Sequence, residues 1–134
     1  MTEGSNKLIL RPKRTNLFSN IALYDTGESA PNYHLRYGPS DSNCLIIDFS
    51  KKKDFYKPIK KVGELVYILE EQLKDVATWI NTNYDILVAF YKQKDGYDAQ
   101  YDAVNLIEDL IKFSKKQKAE ARKRRREARK NKLK

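Results

Sequence analysis

The chain of 134 residues has little of several residue types that carry chemistry: one cysteine, one histidine, one methionine and one tryptophan. Cys44 stands alone in an apolar run, which excludes a disulfide framework and a cysteine-based zinc site and is typical of a reducing cytoplasm. No apolar run approaches the ~18 residues that span a bilayer, and the first residues lack the apolar segment of a secretory signal. We therefore expect a cytoplasmic protein without a membrane partner, a cofactor or a metal.

Catalytic motifs are also missing, since the sequence has no Gly-rich phosphate loop, nucleophile elbow, HExxH or CxxC pattern. Residues 95–98 resemble the start of a calcium loop, but the other ligands and the closing glutamate are absent. His34 alone could act in acid–base chemistry, as in a small nuclease, but a structural histidine hydrogen-bonded near a turn is the favoured interpretation. Its candidate partners are Asp25, Arg36, Asp48 and Glu64. The sequence thus predicts a non-enzymatic protein.

What the chain does have is a strongly basic end. Residues 114–134 contain twelve Lys and Arg and two Glu, a charge of +10, and because the whole chain carries +9, residues 1–113 sum to −1. This segment has few apolar groups, so we expect it to stay outside the core as a basic arm, a partly frayed helix that phosphates complete. The candidate phosphate-binding residues are Lys115, Lys116, Lys118, Arg122, Lys123, Arg124, Arg125, Arg126, Arg129 and Lys130.

A charge density of this kind favours nucleic acid as the partner. Lys and Arg bind phosphates by releasing condensed counterions, and Arg adds forked hydrogen bonds. RNA is preferred over DNA because arginine-rich segments often fold on binding an A-form groove or a bulge. A solvated tail that only improves solubility is the plain alternative. A helix lying on lipid is disfavoured, because the segment has almost no apolar face.

Apolar runs separated by turn-forming residues predict an antiparallel β-meander. The predicted strands are Leu17–Tyr24, Tyr33–Tyr37 and Asn43–Phe49. In the second strand, Leu35 and the two flanking tyrosines occupy one face and His34 and Arg36 the other. Lys7–Leu10 reads either as an edge strand or as part of an extended arm over residues 1–16, and residues 59–67 read either as a fourth strand or as the first turn of a helix.

Helical periodicity replaces the strand pattern after residue 59. Apolar residues from Val62 to Ile80 recur at spacings of three and four, which predicts one amphipathic helix. Asn83 is placed to cap a second helix, Tyr84–Lys94, and a last helix begins near Asp98 and continues into the basic segment. We predict an α+β fold in which three to four antiparallel strands are packed by two helices. Residues 1–113 form the compact domain, and residues 114–134 form a basic C-terminal helix.

The segment 20–94 resembles a small prokaryotic family of uncharacterised proteins often encoded near toxin–antitoxin genes. Its members carry P-P-H-x-H before a strand ending in Y-G, then a β-meander and two helices. The corresponding residues are Ala30-Pro31-Asn32-Tyr33-His34-Leu35-Arg36-Tyr37-Gly38 and Thr78-Trp79-Ile80-Asn81-Thr82-Asn83-Tyr84-Asp85-Ile86-Leu87. Asn32 stands where the family has its first histidine, so a paired-histidine site does not carry over. The resemblance implies a sheet covered by helices and a mobile-element or defence-system setting.

The compact domain contributes further candidate contacts. Tyr33 and Tyr37 could stack on bases, or they could be half-buried core residues with a solvated hydroxyl. Positive charge outside the arm either extends a phosphate track or is simply solvated. The residues concerned are Lys13, Arg14, Arg36, Lys51, Lys52 and Lys53.

Three functional hypotheses follow from these observations. The first is a non-enzymatic nucleic-acid-binding protein, with RNA preferred, that serves as a subunit or accessory factor of a ribonucleoprotein or defence-type complex and so also has a protein partner. The second is a protein–protein interaction module, antitoxin-like or a phage-encoded inhibitor, whose basic arm occupies an acidic or nucleic-acid-binding surface of its partner. The third is a small nuclease centred on His34.

Overall fold

The computed structural model of the protein describes residues 7–24, 34–92 and 103–133. Within these residues, five antiparallel strands form one sheet in the order in which they follow along the chain. They are β1 (Lys7–Leu10), β2 (Ile21–Tyr24), β3 (His34–Ser40), β4 (Asn43–Asp48) and β5 (Lys60–Val62). The predicted meander is confirmed. It has five strands rather than three or four, because both β1 and β5 join it as edge strands.

The helices complete the α+β fold. One short helix lies between the first two strands, and the others follow the last strand. They are α1 (Pro12–Thr15), α2 (Val66–Glu70), α3 (Leu73–Thr82), α4 (Tyr84–Lys92), α5 (Ala103–Asp109) and α6 (Lys115–Leu133). The single helix predicted between Val62 and Ile80 is divided in two, because the chain leaves helical geometry at Gln72. The predicted last helix is likewise two helices, with a non-helical connection at residues 110–114.

The alternation of side chains along the strands gives the sheet one face in the core. On β3, Leu35 and Tyr37 are fully buried, while His34 and Arg36 lie on the other face, as predicted; Tyr33 lies outside the described residues. The buried side chains of the sheet pack against those of α3 and α4, including Trp79 and Leu87. Each large apolar side chain buried in this way contributes about 1.5–3 kcal/mol, so the two helices and the sheet stabilise each other.

Gly63 lies in the turn between β5 and α2. Its φ angle is +91°, in the region that glycine adopts without strain. A Cβ atom at this position would overlap the Ser42 carbonyl oxygen and the Asn43 side chain. The Asn43 Oδ1 accepts hydrogen bonds from the backbone N–H groups of Glu64 (3.1 Å) and Leu65 (3.3 Å). The glycine therefore ends β5 instead of interrupting a helix.

Asn83 ties the helical hairpin to the connection that precedes α6. Its side chain is buried, and its Nδ2 donates to the carbonyl oxygens of Trp79 (3.0 Å) and Ile111 (3.1 Å). Its Oδ1 accepts the Ile111 backbone N–H at 2.7 Å. The predicted break between α3 and α4 is confirmed, but the predicted side-chain cap on α4 is wrong. The amide group is fully used by α3 and by Ile111.

A second asparagine holds the residues immediately before α6. Asn16 adopts left-handed geometry, with φ of 64°, at the end of α1, and its Nδ2 donates to the Phe113 carbonyl oxygen at 2.7 Å. The Phe113 backbone N–H donates in turn to the Thr15 carbonyl oxygen at 2.8 Å. Both backbone groups of Phe113 are thus bound to the α1 turn, which fixes the point from which α6 departs.

The start of α6 is closed by a capping box. The Ser114 Oγ accepts the Gln117 backbone N–H at 3.1 Å, and the Gln117 Oε1 accepts the Ser114 backbone N–H at 2.9 Å. This reciprocal pair satisfies two backbone donors at the helix N-terminus. It separates α6 from α5, so the basic segment forms a helix with its own direction.

We predict that Asn83→Ala lowers the free energy of unfolding by about 1–3 kcal/mol, because the backbone groups of Ile111 lose their partner in a partly buried site. Thr82→Ala, one residue earlier, removes only the exposed bond from Oγ1 to the Thr78 carbonyl oxygen and serves as the control. Urea unfolding followed by the fluorescence of buried Trp79 measures both variants. Equal stability of the two variants would contradict this account.

Candidate nucleic-acid interface

The basic helix α6 contacts the compact domain from Lys118 to Arg129. Ala121 is fully buried and belongs to the same apolar core as the sheet and α3. The expectation that the whole basic segment stays outside the core is therefore wrong. Alanine is small enough to let the helix backbone approach the domain closely, so a sequence with few apolar groups can still dock.

Near Ala121, three basic side chains of α6 lie over one aromatic ring, that of Phe18. The Arg125 guanidinium carbon lies 3.8 Å from the centroid of the Phe18 ring. The Lys118 Nζ lies 5.2 Å and the Arg122 guanidinium carbon 5.8 Å from the same centroid. Cations over a ring face within about 6 Å are attracted to it, and the attraction grows as they lose water. Phe18 thus contacts about two turns of a helix that has almost no apolar side chains.

A carboxylate on α3 supplies the ionic part of this contact. The Asp75 side chain is only 3% exposed, and its oxygens lie 2.5 Å from the Arg124 Nη2 and 3.6 Å from the Arg125 Nη1. Four residues earlier in the chain, before α3 begins, the Glu71 Oε1 accepts a hydrogen bond from the Arg129 Nη2 at 2.9 Å. This pair is more exposed. Asp75 dominates this part of the contact, because exposed ion pairs contribute little.

Burial and like charge shift several pKa values at this contact. Burial raises the pKa of the Asp75 carboxyl, and the neighbouring Arg124 and Arg125 offset part of that rise. Burial also lowers the pKa of Lys118, and Arg122 and Arg125 lower it further by repulsion. The docked face of α6 therefore concentrates more positive charge than its acidic partners neutralise.

The opposite side of α6 carries a row of exposed lysines. Lys116, Lys123 and Lys130 are seven residues apart, nearly two helical turns, so they form one line along the helix. Lys123 follows the buried Ala121 by two residues, or about 200° around the helix, so the line faces away from the domain. No ion pair involving these lysines occurs among the described residues. We call Lys116, Lys123 and Lys130 the lysine row.

A cleft opens between α6 and the corner that joins α2 to α3. Its volume is about 530 Å³, and four arginines and Gln72 line it. The arginines are Arg122, Arg125, Arg126 and Arg129. Arg122, Arg126 and Arg129 are exposed and Arg125 is half-buried. We call this the arginine cleft. Such a concentration of guanidinium groups around one open cleft suits an anion rather than an apolar ligand.

Gln72 at the back of the arginine cleft is held in place by Tyr37. The Tyr37 hydroxyl donates a hydrogen bond to the Gln72 Oε1. Burial raises the pKa of Tyr37. Because the ring is fully buried, the suggested role of Tyr37 in base stacking is wrong. The residue instead positions an amide group at the cleft.

The other basic candidates lie at different distances from α6. Lys13 and Arg14 are exposed on α1 and stand next to Asn16, whose Oδ1 accepts a hydrogen bond from the Lys118 Nζ at 3.2 Å. They therefore extend the positive surface at the start of α6. Arg36 is on β3, on the sheet face away from the core, and lies 3.9 Å from Asp41.

The loop after β4 contains three lysines, and we call it the lysine loop. It lies at the end of α3 opposite to the end that contacts α6. Its exposed members are Lys51, Lys52 and Lys53. The Asn81 Nδ2, in the last turn of α3, donates to the Lys53 carbonyl oxygen at 2.6 Å, whereas Asp75 near the start of the helix binds α6. Six residues of helix separate these two anchor points, about 9 Å along the axis. No contact between this loop and α6 occurs among the described residues.

His34 is the residue on which the nuclease hypothesis depends. The β3–β4 register places Asp48 opposite His34, while Asp25 lies outside the described residues. The His34 carbonyl oxygen accepts the Tyr91 hydroxyl at 2.5 Å. No group of His, Cys, Asp or Glu that could hold a metal occurs in the described part of the chain. The nuclease hypothesis stays a prediction that His34→Ala would test.

Within residues 7–24, 34–92 and 103–133, no helix is both long and apolar enough to cross a membrane. Burial raises the pKa of the Cys44 thiol, so this residue lacks the thiolate character of a reactive cysteine.

Comparison with protein-family models, with curated proteins and with solved structures finds no match.

Sequence reasoning identified the basic residues but missed the groups that hold them. Phe18, Asp75 and Gln72 occur in segments that read as an ordinary strand and helix, and only the fold brings them to one place. One signal was readable, because Ser114 and Gln117 have the spacing of a capping box. That spacing indicates a new helix at residue 115 rather than the continuation of the preceding one.

We predict a pH-dependent contribution of Asp75 to stability. Burial places its pKa in the folded protein above the ordinary value of 3.8, so the folded state holds a proton more tightly than the unfolded chain. The corresponding stability is present at low pH and is lost as the pH rises through the folded-state pKa. The unfolding free energy of the wild type minus that of Asp75→Asn should therefore increase as the pH is lowered from 7 towards 4.

Urea unfolding at several pH values measures this difference. Thr82→Ala removes no ionisable group, so its difference from the wild type should be independent of pH and serves as the control. A wild-type minus Asp75→Asn difference that stays constant, or that shrinks on acidification, would contradict the assignment.

Proposed function

We propose that this protein is a non-enzymatic nucleic-acid-binding protein that holds phosphates along α6, with RNA as the preferred partner. The observation that carries the proposal is a cation-rich helix docked on a nearly neutral domain, with the lysine row on its outer side. A helix fixed in this way presents its charges without first having to fold, so the ordering cost of binding is small.

The dimensions of the lysine row suit a nucleic-acid strand. Lys116 and Lys130 are fourteen residues apart, about 21 Å along the helix axis. At about 3.4 Å per phosphate along a stacked strand, this length covers about six phosphates. Contacts of this kind neutralise the backbone and carry no base sequence, so we expect binding with little sequence preference.

Docking of α6 also favours one mode of binding. A helix that enters the deep groove of an A-form duplex has to offer most of its circumference, but one side of α6 is occupied by Phe18 and Asp75. An unpaired RNA strand lying along the outer side meets no such obstacle. Arginine side chains at the edge of that path can stack on unpaired bases. We therefore favour single-stranded RNA over a duplex.

We predict that replacing the lysine row by glutamine (Lys116→Gln, Lys123→Gln and Lys130→Gln together) weakens RNA binding on the order of 100-fold at ~0.1 M salt, and lowers the slope of log K against log salt by about 2. The reason is the loss of three phosphate contacts from a surface that does not support the fold. Fluorescence anisotropy with labelled single-stranded RNA at several salt concentrations measures both quantities.

The lysine loop provides a matched control. Replacing Lys51, Lys52 and Lys53 by glutamine removes the same charge at a place away from α6, and we expect a much smaller loss. Equal losses in the two triple variants would mean that net charge, not α6, accounts for binding. Deletion of residues 114–134 is less informative, because it would also uncover the core around Ala121.

A protein partner is a second candidate function that one specific observation favours. The segment around β5 exposes several large apolar side chains, among them Ile59 at 61% and Tyr67 at 64%. In the described sheet, β5 is the last strand, and a strand with an open edge can pair with an extended segment of another protein. This surface suits the antitoxin-like or inhibitor hypothesis, and also the binding of a subunit in a ribonucleoprotein or defence-type complex.

The two functions are separable by substitution. We predict that Ile59→Lys leaves RNA affinity unchanged but disrupts any complex made through β5, whereas the glutamine variant of the lysine row has the opposite effect. The RNA arm uses the anisotropy titration, and the protein arm uses co-purification of the tagged protein from its host. Loss of RNA binding in Ile59→Lys with an intact fold would show that the β5 surface belongs to the RNA site.

A further inference from the structure

The arginine cleft differs from the lysine row in being concave and in having one buried side chain, Gln72, at its back. Its wall consists of guanidinium groups from successive turns of α6, and Gln72 closes it from the domain side. Gln72 is 8% exposed, so its amide group is part of the domain and not a mobile surface group.

Two side-chain donors in this region make no hydrogen bond to any of the described residues. The Gln72 Oε1 is used by the Tyr37 hydroxyl, and no partner for its Nε2 occurs among the described residues. The Arg125 Nη1 is buried and makes no hydrogen bond in the described part of the chain, although the Asp75 carboxylate lies 3.6 Å away. The buried Arg125 Nη1 faces Asp75, whereas the Gln72 Nε2 is not among the buried atoms and can donate to an acceptor bound in the cleft.

The balance of charge around the cleft indicates the charge of the ligand. Arg125 faces Asp75, and Arg129 is bound to Glu71. Arg122 and Arg126 have no acidic partner among the described residues. Because Asp75 is shared between Arg125 and Arg124, at least two positive charges are left uncompensated at the cleft. A phosphodiester inside a strand carries one negative charge, whereas a terminal phosphate monoester carries about −1.5 to −2 near neutral pH and offers three acceptor oxygens.

We propose that the arginine cleft binds the phosphorylated end of an RNA strand whose following nucleotides run along the lysine row. This inference rests on the proposed function and adds a ligand group to it. The cleft volume of about 530 Å³ exceeds what a phosphate alone would fill and accommodates the terminal nucleotide. Arginine suits this site because its planar group makes two parallel hydrogen bonds to a phosphate and can stack on the adjacent base.

The experiment compares three forms of one short, unstructured oligouridine: with a 5′-phosphate, with a 3′-phosphate, and with hydroxyl groups at both ends. Anisotropy competition on the full-length protein at fixed salt gives their relative affinities. We expect one of the phosphorylated forms to bind about tenfold or more tightly than the hydroxyl form, because the terminal phosphate adds charged hydrogen bonds to the arginines. Whichever end gives the preference identifies the polarity of the strand on α6.

Arg126→Gln and Lys123→Gln form a matched pair of variants. Each removes one charge from an exposed side chain of α6 that makes no ion pair among the described residues, but only Arg126 lines the cleft. Arg126→Gln should reduce the preference for the phosphorylated end several-fold. Lys123→Gln should weaken binding of all three oligonucleotides alike and keep their ratio.

The outcomes separate this inference from the function on which it rests. Equal affinity for all three oligonucleotides overturns the terminal-phosphate site and leaves RNA binding by α6 standing. A preference that Lys123→Gln reduces as much as Arg126→Gln overturns the placement of the site in the cleft. Absence of binding to any of them overturns the proposed function itself.

Discussion

The contact that organises this protein is the one between the buried Asp75 carboxylate, the Phe18 ring and the arginines of α6. A helix with so many positive charges repels itself, and alone it would fray. Burying Asp75 costs free energy that only nearby cations offset. Each side of the contact therefore needs the other. The result is a basic helix in a fixed position, which is the precondition for both the lysine row and the arginine cleft.

The rest of the fold serves to place this contact. Tyr37 in the sheet core donates to Gln72 at the start of α3, and so links the sheet to the helical layer. Asn16 and Asn83 bind the connection before α6 through its backbone groups. Both asparagines act over a long separation in sequence. The position of α6 consequently depends on the sheet, on α1 and on α3 together.

The division of α6 into two sides explains how one helix could serve two purposes. Its inner side carries Ala121 and the arginines that face Phe18, Asp75 and the cleft, and its outer side carries the lysine row. Arginine is suited to the inner side because it packs on rings and forms directed hydrogen bonds even when partly desolvated. Lysine is suited to the outer side, where a mobile, hydrated charge follows a phosphate backbone without fixed geometry. The distribution of the two residue types is consistent with the proposed function.

The sequence by itself determined the α+β class, the three inner strands of the meander, the break at Asn83 and the existence of a basic C-terminal helix. These features depend on local periodicity and turn residues, which a single chain segment contains in full. Only the tertiary structure decided that β1 and β5 join the sheet, that Tyr37 is buried, and that α6 docks through Ala121, Phe18 and Asp75. Those outcomes depend on partners distant in sequence. The charge and the periodicity of a segment do not show against which other part of the chain that segment will pack.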